Sequence, residues 1–340
     1  MATVVRNFWI KSGTLSLPDR NIPFWGFADL NGGPQVPGPI IQARVGDIVR
    51  VRLYNNFFNS DPVGEPVSIV FPGQENVTVR QYPYGGKPQP VQPQYSGGNF
   101  ISYTNYVEPD SYYFPLILQY EFEAQRCGIY LYESGTNPEK QIQMGVYGVI
   151  IIRPYGYNIP SHSNYKTAYG ANTNSRYDVE KVLVLGELDS AMHQGVIPGG
   201  YYNILNFTPD YYVLNGRCYP DTVNDDDDSG QPYGSKISCS TGDRVLLRMI
   251  NAGFRTYTIS FGGLSGRVIA EGGYSLATDG TDNSYERTGV TLGAGQSADA
   301  VIIPERPGEF YIYDRGHTCL INDDGFLGSM MTKMDVHPTP

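Results

Sequence analysis

Short stretches of alternating apolar and polar residues run along most of the chain, and turn-forming residues separate them. Seven of these stretches are rich in β-branched side chains and end at Gly, Pro or Asn, which is typical of β-strands. They are residues 47–53, 67–71, 148–153, 182–186, 244–250, 266–270 and 298–303. No segment offers ten residues of clear helical period, although 137–143 indicates one helical turn. The pattern predicts an all-β protein.

Two motifs occur twice and in the same order, which indicates an internal duplication. RVGDIVRVRLYNN and STGDRVLLRMINA each place a Gly nine residues before an Asn, and CGIYLYESG and PGEFYIYDRG each place a Gly seventeen residues before another. The paired positions are Gly46/Asn55 with Gly242/Asn251, and Gly128/Gly145 with Gly308/Gly325. We therefore predict two tandem Greek-key β-sandwiches, residues 1–155 and 179–340. Residues 156–178, rich in Tyr, Asn and Ser, form an interdomain strap.

Charge and composition narrow the classes of function. The chain has 24 Lys and Arg against 34 Asp and Glu, a formal net charge of −10, and so lacks the basic surface that nucleic acid or an anionic membrane requires. Its apolar runs are strand-length, far short of the roughly 20 residues that span a bilayer. No secretory signal is visible at the start, so the sequence leaves the compartment open. Tyr is unusually frequent, at 28 residues, and this residue suits protein interfaces.

Two local features are candidates for a crosslink and for a cation site. Cys218 and Cys239 bracket a polar loop and could form a disulfide, the alternative being two packed thiols. The acidic run offers oxygen ligands to calcium, although it lacks the spacing of an EF-hand loop and suits a solvated loop tip better. It consists of Asp225, Asp226, Asp227 and Asp228.

Seven segments carry a family likeness. In order they are VPGPIIQARVGDIVRVRLYNN, PVSIVFPGQEN, CGIYLYESGTNPEKQIQMGVYGVIIIRP, VLNGRCYPDT, TGDRVLLRMINAGFRTY, GRVIAEGG and PGEFYIYDRG. Together they resemble the landmarks of multicopper oxidases, a laccase-like family of tandem cupredoxin domains, over most of the chain. The resemblance implies two cupredoxin-like sandwiches. It also implies oxidation of phenols or metal ions at a type 1 copper, with oxygen reduced at a trinuclear copper cluster.

The resemblance fails where the copper ligands should be. Where the family has His-x-His and Tyr-His-Ser-His segments in its first domain, and histidines at matching places in its second, this chain has other residues. The degenerate positions are Val70, Pro72, Glu133, Gly135, Leu264, Tyr313 and Arg315. We therefore expect no bound copper and no other cofactor.

A count of histidines supports the same expectation. A trinuclear cluster with a mononuclear copper calls for about ten histidines, and the chain has four, at 162, 193, 317 and 337. His317, Cys319 and Met330 resemble part of a type 1 copper set, but Leu264 and Asp324 stand where its other two histidines are expected. The sequence thus predicts that the chain is not an enzyme.

With that chemistry removed, the sequence favours a structural role. We expect a copper-free building block that associates with itself, as a homo-oligomer or polymer, or with other surface proteins, at an extracellular, cell or spore surface. Two alternatives remain open. One is a residual metal-dependent oxidoreductase or electron-transfer protein, and the other is a monomeric module that binds a ligand such as a glycan on Tyr-lined loops.

Overall fold

The computed structural model of the chain describes residues 1–55, 65–109, 117–196, 200, 203–227, 231–278, 280–316 and 330–339. In these ranges the first half contains β1 (Thr3–Ser16), β2 (Asn21–Ala28), β3 (Gly38–Arg44), β4 (Ile48–Tyr54), β5 (Thr78–Tyr82), β6 (Gln89–Pro90), β7 (Gln94–Ser96), β8 (Asn99–Ser102), β9 (Ile117–Glu123), β10 (Gly128–Glu133) and β11 (Tyr147–Arg153). The second half contains β12 (Val179–Leu188), β13 (Tyr211–Leu214), β14 (Ile237–Ser240), β15 (Val245–Asn251), β16 (Tyr257–Ser260), β17 (Gly266–Glu271), β18 (Tyr274–Ser275), β19 (Ala277–Thr278), β20 (Thr281–Asp282), β21 (Tyr285–Arg287), β22 (Gly289–Leu292), β23 (Ser297–Ile302), β24 (Gly308–Asp314) and β25 (Met331–His337).

The helices in these ranges are short. They are α1 (Pro138–Gln141), α2 (Ser190–Val196) and two 3₁₀ turns, Ile204–Asn206 and Asp221–Val223. The predicted turn near 137–143 corresponds to α1, whereas α2 was not predicted. None of the helices that the structure describes is long and apolar enough to cross a membrane.

The repeated sequence motif folds the same way in both halves. Strand β4 pairs in parallel with β1 and antiparallel with β9, and β15 pairs in parallel with β12 and antiparallel with β23. Each of these repeated strands follows a turn whose glycine has a positive φ, 84° at Gly46 and 86° at Gly242. Glycine adopts that conformation without steric cost. The motif therefore encodes one supersecondary unit twice.

Each half is a pair of sheets. The first half has the strand orders β2-β1-β4-β9-β5-β6 and β10-β11-β3, and the second half has β13-β12-β15-β23-β17-β18, with β21 beside β17, and β14-β25-β24-β16-β22. Two small two-stranded sheets, β7-β8 and β19-β20, lie outside these four. The prediction of an all-β protein built of two cupredoxin-like sandwiches is confirmed. The boundaries at 155 and 178 stay a prediction.

A third apolar layer joins the two halves. Every residue of β11 is buried, and alternate side chains face opposite ways. Ile150 and Ile152 belong to the core of the first half, whereas Val149 and Ile151 pack in a cluster that includes Val184 of the second half. A strand covered on both faces needs an unbroken apolar run, which explains the sequence of β11.

The sequence left a disulfide and two packed thiols as alternatives for Cys218 and Cys239. In the structure no disulfide joins them, and the two side chains are 2% and 5% exposed. Cys218 lies in the apolar layer between the halves and its thiol donates to the Tyr212 carbonyl, whereas Cys239 lies in the core of the second half. Separate clusters hold the two side chains, so each is a small apolar packing residue.

Candidate functional site

Three of the degenerate copper positions meet in the first half. Val70 and Glu133 form an isolated antiparallel bridge, in which the Val70 amide donates to the Glu133 carbonyl at 2.8 Å and the Glu133 amide returns a bond at 3.1 Å. A Cβ at Gly135 would lie only 2.8 Å from Val70 Cγ1. A larger side chain at 135 therefore requires Val70 to move. Pro72 is exposed in a turn.

A network of uncharged polar groups fills the space beside these residues. The Thr136 hydroxyl lies 2.9 Å from both the Ser68 and the Ser102 hydroxyls, which are 3.1 Å apart. Ser134 donates to Gln141 Oε1 at 2.6 Å, and the Gln141 amide donates to the Pro66 carbonyl at 2.9 Å. All these side chains are buried. We call Ser68, Ser102, Ser134, Thr136 and Gln141 the hydroxyl network.

Glu133 is the one ionisable residue among the three that meet. Alternation along β10 places it on the same face as Ile129 and Leu131, which belong to the apolar layer between the halves. Burial raises the pKa of Glu133 to about 7, because a partly buried carboxylate loses hydration. Its side chain can therefore gain or lose a proton near neutral pH.

The degenerate positions of the second half surround β16. Tyr313 pairs with Ser260, and the Arg315 amide donates to the Thr258 carbonyl at 2.8 Å. Leu264 lies in the turn after β16 and packs against the core of the second half. These groups offer no imidazole, and neither do Val70, Glu133 and Gly135. The donor sets therefore do not fit the copper centres of the family.

The histidines that the structure describes lie apart from one another. His162 packs edge-on against Tyr155 in the strap, and His337 bonds to Ser238. His193 in α2 is fully buried, its Nδ1 lies 2.7 Å from the Pro23 carbonyl, and burial lowers its pKa. His317, Cys319 and Asp324 lie outside the described residues, and Met330 is buried in the second core.

The acidic loop is closed by its own hydrogen bonds. Asp226 Oδ1 accepts the Gly234 amide at 2.8 Å, and the Asp225 carbonyl accepts Arg217 Nη1 at 3.0 Å. The Asp227 amide donates to the Pro232 carbonyl at 3.0 Å, and Asp228 lies outside the described residues. Across the ranges that the structure describes, no group of three His, Cys, Asp or Glu side chains is placed to hold a metal ion.

Three solved structures share this architecture over nearly the whole chain. The multicopper oxidase mgLAC matches with a TM-score of 0.70 at 19% identity, covering 99% of this chain and 86% of that one. The blue copper oxidase from Nitrosomonas europaea matches at 0.67 and 20% identity, over 99% and 86% of the two chains. The chain has the multicopper-oxidase fold. Copper nitrite reductase from the same organism matches at 0.64 and 18% identity, over 98% and 94%.

The resemblance read from the sequence is thus confirmed for the fold. No protein-family model matches the chain, and no curated protein matches it.

The prediction that the chain is not an enzyme is contradicted by these comparisons. The solved structures with which it shares the multicopper-oxidase fold are oxidases and a reductase. The prediction inferred the absence of any activity from the absence of ligands at one kind of centre, the copper centres of the family. That step fails because function depends on particular sites, and one fold carries many of them.

The sequence analysis missed a buried ionic cluster. Arg248 is fully buried, with Nη1 2.6 Å from Asp299 Oδ2 and Nε 2.6 Å from Glu180 Oε1. Arg153 makes a two-pronged contact with Glu180, at 2.7 and 2.8 Å, and the Tyr169 hydroxyl donates to Asp299 at 2.7 Å. The sequence features that could have indicated this cluster are an Arg inside the apolar segment VLLRMIN and an Asp inside SADAVI.

Opposite charges outweigh burial at Glu180 and Arg248, whereas burial outweighs them at Asp299 and keeps the pKa of that carboxyl above its ordinary value. Burial by itself raises the pKa of Glu180, but Arg248 and Arg153 hold that pKa below its ordinary value. Burial also disfavours the charged form of Arg248, yet Asp299 and Glu180 keep its pKa above the ordinary value. The cluster joins the end of β11, the strap and three strands of the second half, so it fixes these parts together.

The hairpin β7-β8 carries exposed aromatic side chains. Tyr95 pairs with Phe100 across the hairpin, and their rings meet edge-on with centroids 5.8 Å apart. Phe100 and Tyr103 meet in the same way at 4.9 Å. We call Tyr95, Phe100 and Tyr103 the aromatic hairpin cluster. Its members are 65%, 46% and 59% exposed.

Proposed function

We propose that the chain is a self-associating structural unit whose copies meet through the aromatic hairpin cluster. The observation that carries this proposal is the exposure of three neighbouring aromatic rings on and beside a two-stranded sheet that, among the described residues, pairs with no third strand. Exposed apolar patches of this kind mark interaction surfaces. The partner is therefore a second copy of the chain, as the wealth of Tyr led us to expect.

The base of the hairpin is anchored, so the three rings have a fixed position. The Tyr103 amide donates to the Gly135 carbonyl at 2.9 Å, and Ser102 forms a bridge with Thr136. Ser102 also belongs to the hydroxyl network. The hairpin thus docks where the family resemblance places two of the copper ligands. Rigid aromatic side chains bury a large area at a small entropic cost, which favours association.

Charge supports a second copy as the occupant. Residues 88–107 contain no Asp, Glu, Lys or Arg, although the chain as a whole has a net charge of −10. Two copies that meet through this segment bring no charges into contact, whereas contact through most other faces brings acidic surfaces together. Salt should therefore strengthen the association by screening the remaining repulsion.

Sedimentation velocity over a series of protein concentrations tests the proposal. The native chain is expected to form species larger than a monomer, and raised salt should increase their share. The triple variant Tyr95→Ser, Phe100→Ser, Tyr103→Ser should remain monomeric, because it loses the contact and keeps the anchored base. Leu205→Ser is the matched control, since Leu205 is 88% exposed in the second half and should not matter.

Two results contradict the proposal. One is a native chain that stays monomeric at every concentration and salt level. The other is a triple variant that assembles as the native chain does. We further propose that this unit works at an extracellular, cell or spore surface, where repeated self-association builds a sheath, coat or filament.

A further inference from the structure

A cavity of about 410 Å³ opens on the outer face of the six-stranded sheet. Its lining residues are far in sequence from the aromatic hairpin cluster. One wall is formed by β1, through the outward side chains of Val5, Asn7 and Trp9 together with Arg6, and the other by the turn that follows β2. The side chains that matter most are Arg6, Asn7, Trp9, Asp29, Leu30 and Asn31. We call this the Trp9 cavity.

The turn that forms the second wall is held in place. The Lys11 ammonium donates to the carbonyls of Leu30 and Gly32 at 3.1 and 2.7 Å, and the Gly32 amide donates to the Asp29 carbonyl at 3.0 Å. One ammonium group thereby satisfies carbonyls that the turn leaves without strand partners. The cavity is therefore formed before any ligand arrives, as ligand sites usually are.

Trp9 offers an aromatic surface to this cavity. Its indole stacks on Tyr54, with ring centroids 4.2 Å apart and planes 15° apart. Its neighbours across the sheet are Tyr54 on β4 and Ala28 on β2. Since Tyr54 covers one ring face, the remaining face is directed toward β2 and the turn. The exposed Leu30 side chain, 61% accessible, lies on that side.

The aromatic row extends beyond Trp9. Cross-strand pairing places Ile117 of β9 next to Tyr54, and Tyr82 of β5 next to Ile117. The row therefore crosses four strands, about 14 Å at the usual strand spacing. Arg52 lies over the Tyr82 ring at 3.8 Å and donates to Gln119 at 3.1 Å. Arg52 thus covers one face of the Tyr82 ring, so the ring that can receive a ligand lies at the Trp9 end of the row.

Polar groups line the cavity in a balanced set. Asn7 and Asn31 supply amide donors and acceptors, and Arg6 and Asp29 carry opposite charges. A neutral ligand with several hydroxyl groups matches this set.

We propose that the Trp9 cavity binds a neutral glycan. The C–H face of one pyranose ring stacks on the free face of Trp9, because the negative face of an aromatic ring attracts polarised C–H groups. Its hydroxyls bond to the carboxylate of Asp29 and to the amides of Asn7 and Asn31. Further sugar units extend over the sheet from Trp9. None of the residues of this site belongs to the aromatic hairpin cluster.

Tryptophan fluorescence gives a direct test. The chain has two Trp residues, and Trp25 is buried at 1% exposure, so a ligand-dependent change reports on Trp9. Cellohexaose, chitohexaose and mannohexaose are the probes, each titrated into the full chain into the millimolar range. We expect a saturable change with at least one of them. Heparin, a polyanion, should give a much weaker response because the chain is acidic.

Variants locate the site. Asn31→Ala, an exposed position, should weaken binding about fivefold, the usual effect of losing one hydrogen bond. Trp9→Phe should abolish the fluorescence change and weaken binding measured by calorimetry by more than fivefold. The triple hairpin variant should bind as the native chain does, so failure of either proposal leaves the other standing. The proposal is overturned if none of the three hexasaccharides binds, or if Trp9→Phe and Asn31→Ala both bind with native affinity.

Discussion

The hydroxyl network and the ionic cluster bury polar groups in opposite ways. In the first half, Ser68, Ser102 and Thr136 satisfy one another without any charge. At the junction with the second half, Arg248 is balanced by Asp299 and Glu180; its contact with Asp299 is buried and its contact with Glu180 is partly buried. Losing one hydroxyl leaves the other two bonded to each other, whereas losing Arg248 leaves the buried Asp299 carboxylate without its cation. We therefore expect the loss of one member to lower the stability more in the ionic cluster than in the hydroxyl network.

The hydroxyl network and the ionic cluster also differ in position. The hydroxyl network lies where the resemblance places copper ligands, and it anchors the aromatic hairpin cluster. The ionic cluster ties Arg153 of β11 and Tyr169 of the strap to the second half. The neutral arrangement thus supports one surface, while the charged one holds large parts of the chain together.

The largest effect is expected from Arg248→Met. This change leaves Asp299 without its buried cation and Glu180 with Arg153 alone, and breaking a buried pair costs about 3–5 kcal/mol of the free energy of unfolding. Chemical denaturation measures it. Arg267→Met is the matched control, because the Arg267–Glu286 pair is 47% and 59% exposed and exposed pairs contribute about 0–1 kcal/mol.

A double variant sharpens this prediction. Arg248→Met combined with Asp299→Asn should be more stable than Arg248→Met alone, because the unpaired buried charge is removed together with its partner. A loss for Arg248→Met no larger than that for Arg267→Met would show that the cluster does not hold the two halves together.

A smaller effect concerns pH and Glu133, a lone carboxyl beside the hydroxyl network. Burial raises its pKa from 4.5 to about 7, so between these values the folded chain binds more protons than the unfolded chain. Stability from this group is therefore full below pH 4.5 and is lost as the pH rises through 7, by up to about 3 kcal/mol. Denaturation of native chain and Glu133→Gln between pH 4.5 and 8 measures the difference. Parallel pH profiles for the two proteins would contradict the assigned pKa.

The smallest effect is expected from Ser102→Ala. The Ser102 hydroxyl contacts the hydroxyls of Ser68 and Thr136, so its removal should cost about 1–2 kcal/mol. Ser96→Ala, at an exposed position of the same hairpin, is the control and should change stability by less than about 0.5 kcal/mol. If Ser102→Ala costs as much as Arg248→Met, the contrast between neutral and charged burial is wrong.

The sequence predicted what local pattern encodes. The repeated Gly-Asp turn and the alternating strand after it specify β4 and β15, and the apolar run of β11 signals a strand buried on both faces. The short helix α2 was not predicted, because its seven residues show little helical period. Asp189 marks its start, since the Asp189 carboxylate accepts the Met192 amide at 2.9 Å.

Features that depend on distant residues could not be predicted. Arg248 lies within an apolar strand, but no residue near it in the sequence indicates that Asp299 is its partner. Cys218 and Cys239 are close in sequence, yet they pack in different clusters. The burial that shifts the pKa of Glu133 depends on how two sandwiches meet. The assignment of the substituted copper positions stays a prediction, and it did not justify the conclusion that the chain lacks activity.

Electron microscopy of the purified chain tests the central claim, self-association through the aromatic hairpin cluster, most directly. The account predicts regular polymers or closed assemblies for the native chain and for Leu205→Ser. For the Tyr95, Phe100 and Tyr103 triple variant it predicts isolated particles of about 38 kDa. Native chain seen only as isolated particles, or regular assemblies formed equally well by the triple variant, would contradict it.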